Sequence, residues 1–168
     1  MPTAPDEPPR INGWLMLLHP IFEQRYRSLL ADVRRLNNEL ASEEAYRQHP
    51  TVKLTAAVRR LVLEIVPQNP NAREFLLRRP LQHFRRAKKR GLPPRYRLFW
   101  VVSVEASTII FLYLNDEATL RKEGARTDPY TIFKRLVERG EIGADFAANL
   151  AAFTEESTSY VRRNHSTQ

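Results

Sequence analysis

Nine of the twenty residues from Arg78 to Arg97 are lysine or arginine, and none is acidic. Their centre is Arg85-Arg86-Ala87-Lys88-Lys89-Arg90, with Arg95 and Arg97 following across the stiff turn Gly91-Leu92-Pro93-Pro94. Guanidinium groups are planar and clamp phosphate oxygens in pairs, whereas lysines act as mobile point charges. A basic run in a flexible tail solvates itself or scans polyanions. This one leads straight into the apolar segment Leu98 to Val104, which reads as a buried strand, so its charges are held and face one way. Such a surface suits the phosphates of RNA or DNA. The plainer alternative is a solvated basic edge that keeps a sheet from pairing with other chains.

Two further groups could do chemistry. Strand geometry over Arg95-Tyr96-Arg97 would place both arginines on one face and the tyrosine on the other. An arginine fixed at a low-dielectric rim can stabilise the charge of a pentacovalent phosphate, or it can simply partner a carboxylate. Asn115-Asp116-Glu117 closes the next apolar segment, either as a turn with a helix cap or as carboxylates for a proton or magnesium. Those carboxylates are adjacent in sequence with no histidine near, so no metal site is expected. The histidines His19, His49, His83 and His165 lack ligand spacing, and only His83, beside the basic run, is a candidate acid. The chain has no cysteine, which removes disulfides, thiolate zinc sites and thiol nucleophiles together. It has no Gly-rich phosphate loop, nucleophile elbow or zinc helix. Neither a metal nor a small-molecule cofactor is expected.

The remaining sequence must position these groups. At 168 residues the chain can bury a core, and a net charge of +8 favours a polyanionic partner. Apolar runs are too short to span a bilayer, and the start, with Asp6 and Glu7 among prolines, is no secretory signal, so a cytoplasmic protein with no membrane partner is expected. Residues 1–10 read as a disordered arm, 11–153 as one domain and 154–168 as a flexible tail. Trp14 to Leu18 is a short apolar run, a strand or a docking segment. Phe22, Tyr26, Leu29, Val33, Leu36 and Leu40 recur at helical spacing over Ile21 to Ala41. After a polar break at Glu43 to Pro50, Thr51 is expected to cap a second helix with the stripe Leu54, Val58, Leu61 and Ile65. Tyr96–Val104 and Thr108–Leu114 predict a β-hairpin, and Leu81 to Phe84 a further strand. Asp128 and Pro129 open a third helix, and Ala144 to Phe153 forms a last one. The order predicts an α+β fold, a helical hairpin and C-terminal helices covering one face of a small antiparallel sheet.

Six segments in order, Asn12-Gly-Trp14 with His19-Pro20, Phe84-Arg-Arg-Ala-Lys88, Tyr96-Arg-Leu-Phe99, Asn115-Asp-Glu-x-Thr119-x-Arg121, Asp128-x-Tyr130-x-x-Phe133 and Arg139-Gly140, resemble the YhaV toxin family of the RelE/ParE-like group. The resemblance covers about Ile11 to Asp145 and implies a RelE-like domain. It also implies an endoribonuclease that cuts mRNA at the ribosome, arrests growth, and is silenced by a PrlF-type antitoxin with an AbrB-like domain. The family's aromatic-x-Arg-x-Lys pattern falls on Phe84, Arg86 and Lys88. On this basis Arg86 and Arg97 are assigned to the phosphate, Lys88 to the phosphate or leaving oxygen, and Tyr130 or Glu123 to proton transfer. Arg85, Lys89, Arg90, Arg95 and Arg121 are assigned to RNA binding. The rival readings are an RNA- or ribosome-binding module that does not cut, and a ParE-like gyrase inhibitor.

Overall fold

The structure, a computed structural model, describes residues 8–152. Residues 1–7 of the expected arm and the whole tail from Thr154 lie outside the described residues. Arg10, placed in that arm by the sequence, is already strand.

A five-stranded sheet runs in the order β1-β2-β5-β4-β3. β1 (Arg10–Ile11) and β2 (Trp14–Leu18) form a hairpin across Asn12-Gly13. Both turn residues have positive φ, 50° and 83°, as a two-residue type I′ turn demands, and Asn-Gly is the pair that adopts it most readily. β2 then lies parallel to β5 (Thr108–Leu114), so Trp14–Leu18 is an internal strand. β4 (Leu98–Ser103) pairs antiparallel with β5 and with β3 (Arg85–Ala87). The sheet is therefore mixed, not antiparallel throughout. A parallel neighbour needs a long crossover, which the helical segment after β2 supplies.

That segment is α1 (Pro20–Glu39), α2 (Glu43–Gln48) and α3 (Pro50–Arg60). The same device starts α1 and α3: a histidine Nδ1 accepts from the backbone N–H two residues on, at 3.2 Å, with proline at the first helical position. His19 and His49 are thus caps, and His49 takes the role expected of Thr51. The polar break after α1 holds the short helix α2. α3 continues through a π-turn (Leu61–Ile65) into a 3₁₀ turn at Val66–Gln68, where Pro67 has no N–H to extend the ladder. Leu81–Phe84, expected as strand, is a turn; the basic residues just after it make β3.

α4 (Pro129–Glu138), capped by Asp128, packs on the opposite face from α1 and α3. Both faces of the sheet are covered, which corrects the one-sided arrangement expected from sequence and explains why every residue of β5 is buried. A helical segment at 146–152 follows, within the range where the last helix was expected. On the α1/α3 side, fully buried Trp100 donates from Nε1 to Pro70 O at 3.2 Å and meets Phe75 edge to face at 4.9 Å. Trp100→Ala should lower stability by about 3–5 kcal/mol, read as a lower urea midpoint with little change in slope.

Candidate active site

β4 and β5 alternate cleanly between the faces until a register shift between Phe99 and Trp100. Phe99 faces Tyr113 and Trp100 faces Phe111, so Leu112 has no partner and, like Tyr113, turns to the α4 side. This bulge crowds rings on that side. Phe99 and Phe133 stack at 4.3 Å and 9°, Phe84 meets Phe133 edge-on at 4.8 Å, and Tyr130 meets Phe99 edge-on at 5.6 Å. The Tyr130 ring is thereby fixed at the open end of an aromatic platform.

Three guanidinium groups surround that ring. Their carbons lie 6.0 Å (Arg86), 5.9 Å (Arg97) and 4.9 Å (Arg121) from its centroid. Each comes from a different segment. Arg86 projects from β3 opposite Phe99, on the α4 side. Arg97 precedes β4; its backbone N–H donates to Asn115 Oδ1 at 2.7 Å, and its Nε donates to the Tyr130 hydroxyl oxygen at 3.1 Å. Arg121 is held by Asp128, whose Oδ1 accepts from its Nη1 at 2.7 Å and from Lys122 N at 2.8 Å. The other oxygen of Asp128 accepts from Tyr130 N at 3.1 Å. One buried carboxylate therefore caps α4, seats Tyr130 and aims Arg121.

The bend at Arg95 completes the frame. The expected strand from Tyr96 begins at Leu98 instead, because Arg95 sits at φ 72°, a left-handed conformation that costs a side-chain-bearing residue energy. Surrounding bonds hold it there: Arg121 N and Asn115 Nδ2 donate to Arg95 O at 2.8 and 3.1 Å, and Arg95 Nε donates to Arg121 O at 3.0 Å.

Of the three arginines, Arg86 is in the least comfortable environment. It is 8% exposed, its Nη2 makes one long bond to Leu76 O at 3.5 Å, and its Nε and Nη1 are buried with no hydrogen-bond partner among the described residues. Each such unmade bond costs about 1–3 kcal/mol. Burial lowers the Arg86 pKa, the Tyr130 oxygen opposes that effect and Arg97 adds to it. Asp128 does the reverse for Arg121, whose pKa is raised. Lys88 is exposed, yet its pKa is pushed below the usual lysine value, first by the Arg86 charge and then by desolvation, Lys89 and Arg97. Arg86, Lys88 and Lys89 line a cleft of about 330 Å³ with Glu74 and Phe75.

The structure thus brings Arg86, Lys88, Arg97 and Tyr130 together and adds Arg121. It places others differently. Arg85 turns to the opposite side and is half-buried, donating to Asn71 Oδ1 at 2.9 Å and to the carbonyls of Gln82 and Phe84. Arg90 is paired with Glu74 at 2.6 Å, and Arg95 braces the backbone. Glu123 is exposed beside Arg121, and His83 is exposed in a turn. Sequence reasoning read Asp128 only as a cap and Asn115 only as a strand terminator. The signal for their second roles is the spacing between segments, which nothing local reveals. Among the described residues no three His, Cys, Asp or Glu side chains converge to hold a metal ion.

The model of the YhaV toxin family, described as a toxin with endonuclease activity of a toxin–antitoxin system, matches residues 16–155. The chain is 35% identical to the toxin YhaV of Escherichia coli O6:H1 and 34% identical to the ribonuclease toxin YhaV of Escherichia coli K12. Each comparison spans 155 residues, 90% of this chain and 99% of the relative. No solved structure matches the chain.

Because Arg86 is the leading cause of the lowered Lys88 pKa, Arg86→Gln should return the Lys88 titration toward that of ordinary lysine. Side-chain NMR of the lysine ammonium against pH measures this. An unmoved midpoint would show that Arg86 does not set it.

Proposed function

The chain belongs to the YhaV toxin family, toxins with endonuclease activity, and we propose that it cuts mRNA at the ribosome through RNA's own 2′-hydroxyl. The observation that carries the reading is the gathering of Arg86, Arg97 and Arg121 around the Tyr130 ring, beside a lysine of lowered pKa. Guanidinium groups clamp phosphate oxygens in pairs, so a phosphodiester is the anion this cluster fits. The K12 relative is named a ribonuclease toxin, which favours RNA over the gyrase reading and cutting over mere binding.

The mechanism follows from the positions. Arg86 and Arg97 bind the non-bridging oxygens of the scissile phosphate, and Arg121 adds charge from its Asp128 seat. Their positive charge counts most when the phosphorane gains negative charge, because the cluster is partly desolvated. Lys88, neutral more often than a free lysine, takes the proton from the 2′-hydroxyl as that oxygen attacks phosphorus. Tyr130 accepts a hydrogen bond from Arg97, which leaves its own O–H free to donate to the departing 5′-oxygen. The P–O5′ bond breaks, leaving a 2′,3′-cyclic phosphate and a 5′-hydroxyl. Lys89 and Lys122 extend the basic rim for flanking phosphates. We infer an antitoxin that covers this face with acidic side chains, and the family resemblance is the support for a PrlF-type partner. The setting proposed is the cytoplasm, where translated mRNA lies.

The test is end mapping after brief induction in a bacterium, together with cleavage by the purified protein. Breaks should fall within translated mRNA and carry 2′,3′-cyclic phosphate, and a 2′-deoxy substitution at the cut should block it. Arg86→Ala should fold and lose cleavage about 10²–10³-fold, as removal of a charge-stabilising donor does. Tyr130→Phe should lose about 10²–10⁴-fold, as removal of a general acid does. A loss in Glu123→Gln with none in Tyr130→Phe would move the proton to Glu123. A folded Arg86→Ala protein with undiminished cleavage would sink the assignment.

A further inference from the structure

On the other side of the Arg95–Arg97 bend lies a second cleft, of about 320 Å³, that the proposed cleavage does not use. Tyr96, Pro93, Pro50 and Leu54 form its apolar walls, and Glu117 and Lys53 stand at its rim. We propose that it holds a nucleobase flanking the scissile phosphate and that guanine is the base it prefers. This rests on the ribonuclease reading above.

The walls suit a flat, aromatic ligand. Single-stranded bases are recognised by stacking on rings and by hydrogen bonds to their exposed edges. The rim decides which base. Glu117 is exposed, and its one hydrogen bond among the described residues is accepted from the Tyr96 hydroxyl at a long 3.4 Å. A carboxylate only accepts, and guanine alone offers two adjacent donors, N1–H and N2–H, on its Watson–Crick edge. Adenine, cytosine and uracil each offer a single donor site there, next to an acceptor that the second carboxylate oxygen repels, whereas guanine's O6 lies beyond its two donors. Lys53, exposed in the first turn of α3, is placed for the next phosphate along the strand, not the scissile one.

The cleft is also tied to the arginine cluster. Tyr96 and Arg97 are consecutive and part to opposite sides, Arg97 to Tyr130 and Tyr96 to Glu117. Asn115, fully buried, joins both segments: it accepts from Arg97 N and donates to Arg95 O and to Thr119 O at 2.8 Å, just past Glu117. A base seated at Tyr96 therefore sets where its phosphate meets Arg97. An acidic protein partner is the poorer occupant, since Glu117 would repel it.

The experiment digests a pool of random-sequence RNA with the full-length protein and with Glu117→Gln and Tyr96→Leu, and sequences the ends. The native protein should enrich guanine at one position next to the cut, and Glu117→Gln should flatten that enrichment about tenfold or more, as loss of a bidentate base contact does. Tyr96→Leu should weaken selection at that position without substituting another base. Native cutting with no guanine preference, or a preference that Glu117→Gln leaves intact, overturns the base site and spares the ribonuclease. Failure of the native protein to cut RNA either free or on translating ribosomes overturns the ribonuclease instead. NMR then judges the cleft alone: shifts at Tyr96 and Leu54 with GMP and not AMP support it, and equal or absent shifts overturn it. A Glu117→Gln change that weakens antitoxin binding and leaves the base profile untouched assigns the cleft to the protein partner and overturns the proposal.

Discussion

Like charges do not gather without a cause, and the crowding of Arg86, Arg97 and Arg121 on one tyrosine ring is the constraint around which this fold is arranged. Among the described residues, Arg121 alone of the three has a carboxylate within salt-bridge distance. The π-face of Tyr130 attracts all three cations, each such contact worth about 0.5–2 kcal/mol, which does not offset burying Arg86 with two bonds unmade. The balance comes from elsewhere: stacked rings under Tyr130, a fully buried β5, and a helix capped by the same Asp128 that holds Arg121. Rigid surroundings hold a local arrangement that would relax if the chain could move.

That arrangement also explains the division of labour among the basic residues. Charge count alone makes the run from Arg78 to Arg97 uniform, but a residue's direction decides its part. Arg86 and Arg85 are neighbours on a strand, so they face opposite sides; one meets Tyr130 and the other stitches a loop to β3. Arg90 is neutralised by Glu74. Arg95 spends its side chain on the backbone that presents Arg97. Fewer cations remain for a ligand than the composition suggests, and of these Arg86 and Arg97 are held in place, as in-line attack at phosphorus requires.

The sequence made the hairpin of β4 and β5, the first helix and the capped α4 legible, because each has a local signal: β-branched and aromatic runs, apolar residues at helical spacing, an Asp-Pro start. It also pointed to Arg86, Lys88, Arg97 and Tyr130 as candidates, since a basic run and a family pattern are both local. What it hid depends on pairing at a distance. Nothing in Trp14–Leu18 says that it lies parallel to β5, and that one pairing turns an antiparallel sheet into a mixed one. The unpaired Leu112 needs both strands in register before it exists. The left-handed Arg95 defeats the alternation that placed Arg95 and Arg97 together, because a conformation held by contacts from residues 115 and 121 overrides local preference. The Asn12-Gly13 turn, by contrast, was readable and went unread as a hairpin.

A site of this composition suits a substrate that carries its own nucleophile. An enzyme that must activate water needs a strong base or a metal to generate hydroxide. RNA presents a hydroxyl already beside the phosphorus, so the protein's task reduces to orientation, charge and two proton movements. Clustered cations serve the last two tasks together: they stabilise the phosphorane, and by raising the local potential they make a neighbouring lysine easier to deprotonate. Lys88 shows that coupling, since the charge that depresses its pKa most is Arg86, the group proposed to hold the phosphate. An antitoxin that placed carboxylates in the cluster would cancel the same positive potential.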